Sequence, residues 1–365
     1  MNLRIPGPIP VPDDILQEMA RPMMNHRGPE FKELLYRVSD RLRQVFDTEG
    51  DVYILTSSGT GAMEAAVANT LSPGDKVLCV SIGSFGDRFG QIARVFGAYV
   101  TMLSFPPGTA ADPDEVRKAL RADPGISAVL VTHNETNTGV TNDLEAIAAV
   151  VKGEFDKLLL VDGISSVCSI PLRTDAWGCD VVASASQKGW MLPPGLAFIT
   201  FSRRAWEAHA SATMPRFYFD VAQHKKYYEM GQPPYTPALS VMFAMDHSLK
   251  RVLDEGVEAV YERHARIGQM TRDGVKALGL TLFPDESVAS NTVTAVNVPE
   301  GIDGDRLRAI LRADHDVVLA GGYGAQVGKI FRIGHLGYVP PEDIQGMLDA
   351  LALALPKAGF ASADV

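Results

Sequence analysis

The sequence predicts an α/β fold in which a mostly parallel sheet is covered by helices on both faces, followed by a smaller α+β domain. Between residues 52 and 201, short apolar runs of strand length alternate with longer amphipathic stretches of helical length. Each run is apolar at nearly every position, which is typical of strands buried on both faces of a parallel sheet. Polar or Gly-rich residues follow several runs, and these would lie at the carboxyl edge of the sheet, where ligands bind in such folds.

The elements of the large domain follow from these runs. Residues 1–30 are Pro-rich, and we expect an irregular arm that lies on another surface because it cannot form a core of its own. A helix is predicted from residue 31, where apolar residues recur at helical spacing. The strand predictions are VYIL (52–55), KVLCV (76–80), AVLVT (128–132), KLLLV (157–161), VVAS (181–184) and LAFITF (196–201). The helix predictions between them are 61–71, 86–97, 112–122 and 143–151.

A second block begins after the Pro-rich segment GQPPYTPA, residues 231–238. A long helix is predicted over 240–278, with a break near Gly256. Strands are predicted at 292–298 and 329–333, and helices at 304–314 and 341–355. Because 365 residues exceed one ordinary core, we expect an arm (1–30), a large domain (31–240) and a smaller α+β domain (241–365).

The composition excludes several functional classes. A net charge of −10 and a pI of about 5.3 give no attraction to nucleic acid or to an anionic membrane. No apolar run reaches the length of a membrane span, and the Pro-rich first residues lack the apolar core of a signal peptide. The cysteines Cys79, Cys168 and Cys179 have no metal-site spacing, so we expect no metal and a reducing, cytoplasmic setting.

Two segments predict groups that bind anions. TSSGTGAMEAA (56–66) follows a strand prediction and opens a helix, so Ser58, Gly59 and Thr60 would offer hydroxyls and backbone N–H groups to a phosphate. The alternative is an ordinary N-cap with flexible glycines. In KIFRIGHLG (329–337), Arg332 lies in an apolar strand, where a guanidinium suits bidentate capture of a carboxylate. The alternative is a structural ion pair.

Two further segments place an acid and a lysine after buried strands. Asp162 ends the apolar run of LLLVDGISSV (158–167), and a buried carboxylate needs a partner such as a pyridinium N–H⁺, or else caps a turn. Lys188 follows the run of VVASASQKGW (181–190), where desolvation would make it a nucleophile for a Schiff base, unless its side chain reaches the surface. A phosphate cradle, a buried acid, a buried lysine and a carboxylate-binding arginine together are the set that pyridoxal phosphate (PLP) requires.

The order of these motifs resembles the class V aminotransferases among the fold-type I PLP enzymes, in particular the alanine/serine–glyoxylate (or –pyruvate) aminotransferase group. The resemblance extends nearly end to end, over PGP (6–8), MNHRGPEF (24–31), SSGTGAMEA (57–65), GSFGDR (83–88), THNETNTG (132–139), LLLVDGISS (158–166), SASQKG (184–189), YTPALS (235–240) and FRIGHLG (331–337). It implies a seven-stranded type of sheet in the large domain, PLP as cofactor and a homodimer.

The resemblance also implies a role for each matching residue. Lys188 would carry the cofactor as a Schiff base, and Asp162 would pair with the pyridine nitrogen. The other implied roles are phosphate binding by Ser58, Gly59, Thr60 and Gln187, stacking on the ring by Phe85, contact near the ring hydroxyl by Asn134 and Thr136, packing under the ring by Ile164, substrate binding by Arg332 and Gly7, and contact with the neighbouring subunit's phosphate by Tyr235 and Thr236.

The implied reaction moves the amino group of alanine or serine to glyoxylate or pyruvate. Phe85 stands where the family often has a bulkier ring, and Asn137 where serine is frequent, and both departures bear on substrate choice rather than on the reaction type. The resemblance leaves aspartate as an alternative donor, because some microbial relatives that resemble this chain use it. A cysteine desulfurase would need a reactive cysteine in the C-terminal half, whereas the last cysteine is Cys179. A PLP-binding but catalytically idle subunit is a further alternative, which an activity assay would separate from an enzyme.

Overall fold

A computed structural model describes residues 1–360 of the chain. The strands are β1 (Asn2–Arg4), β2 (Asp51–Leu55), β3 (Lys76–Ser81), β4 (Tyr99–Ser104), β5 (Ile126–Thr132), β6 (Asn134–Glu135), β7 (Val140–Thr141), β8 (Leu158–Asp162), β9 (Val181–Ala185), β10 (Ala197–Phe201), β11 (Val293–Asn297), β12 (Val317–Gly321) and β13 (Ile330–Gly334).

The helices surround the two larger of three sheets, and β6 and β7 form the third, a two-stranded antiparallel one. They are α1 (Asp13–Glu18), α2 (Pro29–Phe46), α3 (Gly59–Thr70), α4 (Ser84–Val95), α5 (Pro113–Ala122), α6 (Leu144–Ala148), α7 (Arg203–Ser211), α8 (Val221–Glu229), α9 (Leu239–Glu255), α10 (Val257–Ala277), α11 (Gly304–His315) and α12 (Pro341–Lys357). A π-helical turn, Ala149–Glu154, continues α6, and short 3₁₀ turns lie at Glu286–Val288 and Gly324–Gln326.

The large sheet has seven strands in the order β2-β10-β9-β8-β5-β3-β4, and every pairing is parallel except the two that β10 makes. The prediction of an α/β fold with a mostly parallel, seven-stranded sheet is confirmed. Both faces are buried: in β5, Val129 and Val131 pack in one apolar cluster, while Ala128 and Leu130 pack in the other. This arrangement explains why the strands read as continuous apolar runs.

The small sheet has the order β1-β12-β13-β11 and packs against α10, α11 and α12. Its strand β1 comes from the start of the described chain and pairs in parallel with β12, Asn2 opposite Val317. The expectation of an irregular arm over 1–30 is therefore wrong for β1, and also for α1, whose Ile15 is fully buried and which packs against α9. The division into domains at residues 30 and 240 stays a prediction.

Most elements lie within a few residues of their predictions, and the break in the long helix falls at Gly256, as expected. The unpredicted elements are the strands β1, β4, β6, β7 and β12 and the helices α1, α7 and α8. Within residues 1–360, no helix combines the length and apolar character needed to cross a membrane.

Candidate active site

A cavity of about 130 Å³ lies at the carboxyl edge of the large sheet, where β5, β8 and β9 end. Parallel strands direct their following loops to one edge, so residues distant in sequence converge there. The cavity is lined by ten of the predicted cofactor-binding residues and by three others. The thirteen residues are Ser58, Gly59, Thr60, Met63, Phe85, Arg88, Asn134, Thr136, Asp162, Ile164, Ser165, Gln187 and Lys188.

Asp162 is the last residue of β8 and is buried, with 4% of its surface exposed. Its carboxylate accepts hydrogen bonds from the Ile164 backbone N–H at 3.0 Å and from the Thr132 hydroxyl at 3.2 Å. Burial raises the pKa of Asp162 to about 6, while these hydrogen bonds and the nearby Lys188 oppose the rise. A cationic N–H placed in the cavity would complete the partners of this carboxylate.

Lys188 follows β9 and extends its amine into the same cavity. Desolvation, followed by the charge of Arg332, lowers the pKa of Lys188 to about 8. Its Nζ donates a hydrogen bond to the Pro6 carbonyl oxygen at 2.5 Å. A Cβ on Gly7 would lie 2.6 Å from the same Nζ, so the predicted glycine lets the backbone approach the lysine.

The segment for which phosphate binding is predicted lies at the start of α3. Helix α3 begins at Gly59 with extended Ser58 as its N-cap, and no hydroxyl of Ser58 caps the helix, so the first N–H groups face the cavity region. A Cβ on Gly59 would lie 2.6 Å from Ile164 Cδ1, so glycine is needed there. The buried Oε1 of Gln187 has no hydrogen-bond partner within residues 1–360. Because an amide's oxygen and nitrogen exchange by rotation, Gln187 can present an N–H to an anion.

Phe85 and Ile164 supply the apolar walls of the cavity. Phe85 is in the first turn of α4, and its backbone N–H donates to Glu135 Oε2 at 2.7 Å. The guanidinium of Arg88, one turn later in α4, lies 4.8 Å from the centre of the Phe85 ring. A planar aromatic ligand fits between apolar walls of this kind.

Arg332 in β13 does not line the cavity, but it contacts Thr136, which does. Its Nη1 donates to the Thr136 carbonyl oxygen at 3.0 Å, and its Nε donates to the Gly321 carbonyl oxygen at 2.8 Å. Burial lowers the pKa of Arg332. Within residues 1–360 no carboxylate forms an ion pair with this guanidinium, which argues against the alternative of a structural ion pair. Two backbone carbonyls orient the fork and leave N–H groups for a substrate anion.

Asn134 has a different environment from the one expected. Its Nδ2 donates to Ser165 Oγ at 2.8 Å and to Thr292 Oγ1 at 2.9 Å. Its Oδ1 accepts from Thr141 Oγ1 at 2.8 Å and from Ser290 Oγ at 2.6 Å. These four hydrogen bonds occupy the whole amide. Asn134 therefore borders the cavity, but its side chain joins the large-sheet edge to the segment before β11.

Tyr235 and Thr236 do not line this cavity. The Tyr235 hydroxyl donates to the Phe217 carbonyl oxygen at 2.9 Å, and its ring stacks on Tyr218 with centroids 4.9 Å apart. Phe217 is 77% exposed. These residues thus lie on an aromatic surface of the chain, apart from the cavity that the other predicted residues share.

Sequence reasoning missed Met63, Arg88 and Ser165, which also line the cavity, and Glu135 behind its wall. Met63 and Arg88 lie one helical turn after predicted residues of α3 and α4, so helical periodicity could have indicated them. In the described part of the chain, no group of three or more His, Cys, Asp or Glu side chains could hold a metal ion.

The fold and the site together define a PLP-dependent enzyme. The cavity offers an acid for a pyridinium, a lysine with a lowered pKa, an anion-binding helix end and an unpartnered amide oxygen in Gln187, and these residues fit the cofactor. The family described as aminotransferase class-V matches residues 14–346. The chain belongs to the class V aminotransferases and is a PLP-dependent transaminase.

Relatives carry several names. A protein of Synechococcus sp. (strain PCC 6716) named soluble hydrogenase, small subunit, is 41% identical over 98% of this chain and 94% of its own length. The L-aspartate–glyoxylate aminotransferase of Paracoccus denitrificans is 38% identical over 99% of this chain and 89% of its own. The serine–glyoxylate aminotransferase of Methylorubrum extorquens is 36% identical over 100% of this chain and 95% of its own.

Solved structures agree with the sequence relatives. Pyridoxamine–pyruvate aminotransferase from Mesorhizobium loti is similar with a TM-score of 0.95 at 32% identity, covering 99% of this chain and 93% of that one. Alanine–glyoxylate aminotransferase from Nostoc sp. gives a TM-score of 0.93 at 31% identity, covering 97% and 94%.

Proposed function

We propose that this transaminase moves the amino group of a small amino acid, alanine or serine, to glyoxylate or pyruvate, with Lys188 as the residue that binds the cofactor. The observation that carries the proposal is the pair of Lys188 and Asp162, which converge on one cavity from the ends of adjacent parallel strands. When bound, PLP supplies an aldehyde that condenses with amines and a ring that accepts electrons from the substrate's α-carbon.

Lys188 has two tasks in this proposal. Its lowered pKa, about 8, leaves a larger neutral fraction than an ordinary lysine has, as a nucleophilic amine requires. As a free amine, its Nζ would move the proton of the substrate's α-carbon as general base and then as general acid. The Pro6 carbonyl oxygen, 2.5 Å from Nζ, holds the free amine within the site.

Asp162 and the helix α3 terminus hold the two ends of the cofactor. The carboxylate of Asp162 keeps the ring nitrogen protonated, because a buried anion strongly favours a cationic partner. Ser58, Gly59, Thr60 and Gln187 hold the phosphate by hydroxyl, amide and backbone N–H groups. Phe85 and Ile164, which line the cavity, would exclude water from the ring.

Arg332 is proposed to grip the α-carboxylate that amino acid and oxo acid share. Its orientation by Gly321 and Thr136 supports this role. Gly7, whose backbone lies against Lys188, is proposed to contact the same substrate. The names of the Methylorubrum and Nostoc relatives support serine and alanine as donors, and glyoxylate as acceptor. Aspartate is the second candidate, favoured by the Paracoccus relative at 38% identity.

Two other readings have less support. A desulfurase would need a reactive thiol, but Cys79, Cys168 and Cys179 are all buried, and none lines the cavity. Burial raises the pKa of Cys79 and of Cys168 to about 12, which makes these thiols unreactive. An idle subunit would not need an oriented Arg332 beside an intact lysine and acid.

A homodimer is also proposed, with Tyr235 and Thr236 reaching the neighbouring subunit's phosphate. The exposed aromatic surface of Phe217, Tyr218 and Tyr235 supports an interface, because large exposed aromatics commonly mark one. The buried free thiols support a reducing cytoplasm as the setting. No nucleic acid or membrane partner is proposed for a chain with a net charge of −10.

The test combines a donor panel with chemical trapping of the lysine. Purified protein is supplied with PLP, then assayed with alanine, serine and aspartate against glyoxylate and pyruvate. After borohydride reduction, peptide mass spectrometry should place the cofactor on Lys188. Lys188→Ala should abolish turnover and the adduct, whereas Lys76→Ala, at an exposed pair with Asp123, should change neither. A reducible adduct on another lysine with normal turnover would refute the assignment.

A further inference from the structure

Glu135 is a buried acid behind the cavity wall, with none of its surface exposed. It lies in the short strand β6, within the THNETNTG segment, and no role has been given to it above. A carboxylate in such a place must be compensated by hydrogen bonds or charges, because burying an uncompensated one is costly. The groups that donate hydrogen bonds to this carboxylate therefore identify the segments that Glu135 holds in place.

The carboxylate of Glu135 joins two segments through backbone N–H groups. Its Oε2 accepts from Phe85 N at 2.7 Å and from Gly86 N at 3.4 Å, while its Oε1 accepts from Asn137 N at 2.9 Å. Phe85 and Gly86 lie in the first turn of α4, where backbone N–H groups have no partner within the helix. Glu135 therefore caps α4 from outside the helix, at the end that favours a negative charge.

The N-cap residue of α4 is one that allows the Glu135 carboxylate to cap the helix. Gly83 occupies the N-cap and has no side chain with which to cap the helix. A Cβ at Gly83 would lie 2.7 Å from Glu135 Cγ and 2.8 Å from Glu135 Cδ. Glycine at 83 thus leaves the space that the carboxylate of Glu135 fills.

The residues after Glu135 lead to the substrate end of the site. The Thr136 carbonyl oxygen accepts from Arg332. The Asn137 side chain pairs with the backbone of Tyr323, accepting at 2.9 Å and donating at 3.0 Å. Tyr323 closely follows Gly321, whose carbonyl oxygen accepts from Arg332 Nε. One carboxylate therefore connects the ring wall at Phe85 with both supports of Arg332.

We propose that Glu135 is a positioning residue for transamination, whose carboxylate fixes Phe85 against the cofactor ring and the Thr136–Asn137 segment beneath Arg332. The inference rests on the functions proposed above for Phe85 and Arg332. Burial raises the pKa of Glu135 to about 7, and the N–H groups of Asn137 and Phe85 favour the ionised acceptor. Neutral glutamine cannot replace it, since its –NH₂ group would face the N–H of either Phe85 or Asn137.

The experiment compares holoenzyme of Glu135→Gln with wild type and with Asp87→Asn. Asp87 lies in the same first turn of α4, but is exposed and accepts from Ser81 Oγ at 2.7 Å. For Glu135→Gln, kcat/KM with the best amino acid donor should fall about tenfold to a hundredfold, the range expected for losing a hydrogen bond to a charged group. The KM for carboxylate substrates and the Kd for PLP should rise, and the absorbance maximum of the bound cofactor should shift. Asp87→Asn should keep all these values.

The KM, the Kd for PLP and the absorbance of the bound cofactor distinguish a positioning role of Glu135 from a role in folding alone. A Glu135→Gln enzyme that melts at a lower temperature but keeps wild-type KM, Kd for PLP and absorbance would overturn the inference. If that variant does not fold, Gly83→Ala gives the second test, because its Cβ displaces the same carboxylate. Unchanged KM and PLP affinity in folded Gly83→Ala would also overturn it. A wild type without transaminase turnover contradicts the proposed function, whereas PLP affinity still tests Glu135.

Discussion

At Gly7, which has no side chain, the backbone lies close to the side chain of Lys188. Its φ of +137° is rare for residues with a Cβ, and the added atom would lie 2.6 Å from Lys188 Nζ and 3.0 Å from its Cδ. We expect Gly7→Ala to lower kcat/KM by up to about a hundredfold, because the added Cβ must displace the Lys188 amine and a misplacement of about 1 Å can cost that much. Steady-state kinetics with the best donor would measure the effect.

Gly346 provides a matched control for that substitution. It lies exposed in α12, and a Cβ there would meet no atom within 4 Å. Gly346→Ala should keep kcat/KM and stabilise the protein by up to ~1 kcal/mol through helix propensity. If Gly7→Ala behaves like Gly346→Ala in the kinetic assay, the close approach at Lys188 has no functional importance.

Arg332 should not tolerate lysine. Arg332→Lys keeps a charge but loses the planar fork that Gly321 and Thr136 orient. Loss of a charge-assisted pair costs on the order of 2–5 kcal/mol, which corresponds to roughly thirtyfold or more in kcat/KM. The loss should appear for every carboxylate substrate, with the Kd for PLP nearly unchanged. An equal loss for an amine donor without a carboxylate would make Arg332 structural.

The local sequence was enough to indicate those site residues that lie at the end of a single predicted strand or at the start of a single predicted helix. The end of an apolar run marks the end of a strand and therefore the edge of the sheet. Such ends lie at or just before Asp162, Lys188 and Gly59. Glu135 could not be found in this way, because its partners Phe85 and Gly86 lie about 50 residues earlier in the chain. The hydrogen bonds that occupy the Asn134 amide likewise come from residues up to 158 positions away.

Helices α9 and α10 form one predicted helix that Gly256 divides. Gly256 has φ +89° and ψ 131°, and a Cβ there would meet nothing within 4 Å. Gly256→Ala therefore creates strain without a clash, and we expect about 1–3 kcal/mol of destabilisation. Chemical denaturation should show this loss while KM and kcat stay at wild-type values. Unchanged stability would mean that the turn can adopt another conformation without cost.

Two of the unpredicted strands, β1 and β4, have no continuous buried apolar run in their own sequence. Strand β4 is at the edge of the large sheet, and its Tyr99, Thr101 and Ser104 are exposed, so it has no continuous apolar run. Strand β1 has three residues and exists because β12 pairs with it. Central strands such as β5 and β8 were predicted, because a strand that is buried on both faces has apolar residues at most positions.

Four buried histidines make the whole molecule sensitive to acid. Burial lowers the pKa of His133, His264 and His335 to about 3, and that of His224 to about 4. Below about pH 6.5 the unfolded chain binds protons at these imidazoles while the folded chain does not, so stability falls as pH falls. Each histidine should cost about 1.4 kcal/mol per pH unit in the window below 6.5.

His264 allows this prediction to be checked at one position. Its Nδ1 donates to the Val260 carbonyl oxygen at 2.7 Å, and its Nε2 accepts from Gly337 N at 3.0 Å, so only the neutral ring fits. The free energy of unfolding of holoenzyme, measured from pH 8 to 5, should fall less steeply in His264→Gln than in wild type. His247→Gln, at a surface pair with Asp14, is the control. Equal slopes for all three proteins would refute the prediction for His264.

The pairing of β1 with β12 sets an order for folding during synthesis. Asn2, Leu3 and Arg4 leave the ribosome more than 300 residues before their partners in β12. At roughly 5–20 residues per second, translation separates the two strands by tens of seconds. Pro6 and Gly7 lie two and three residues after the end of β1, so we expect the backbone that contacts Lys188 to be fixed only when β12 has emerged. A nascent chain can thus complete its seven-stranded sheet early, yet its active site closes only near the end of translation.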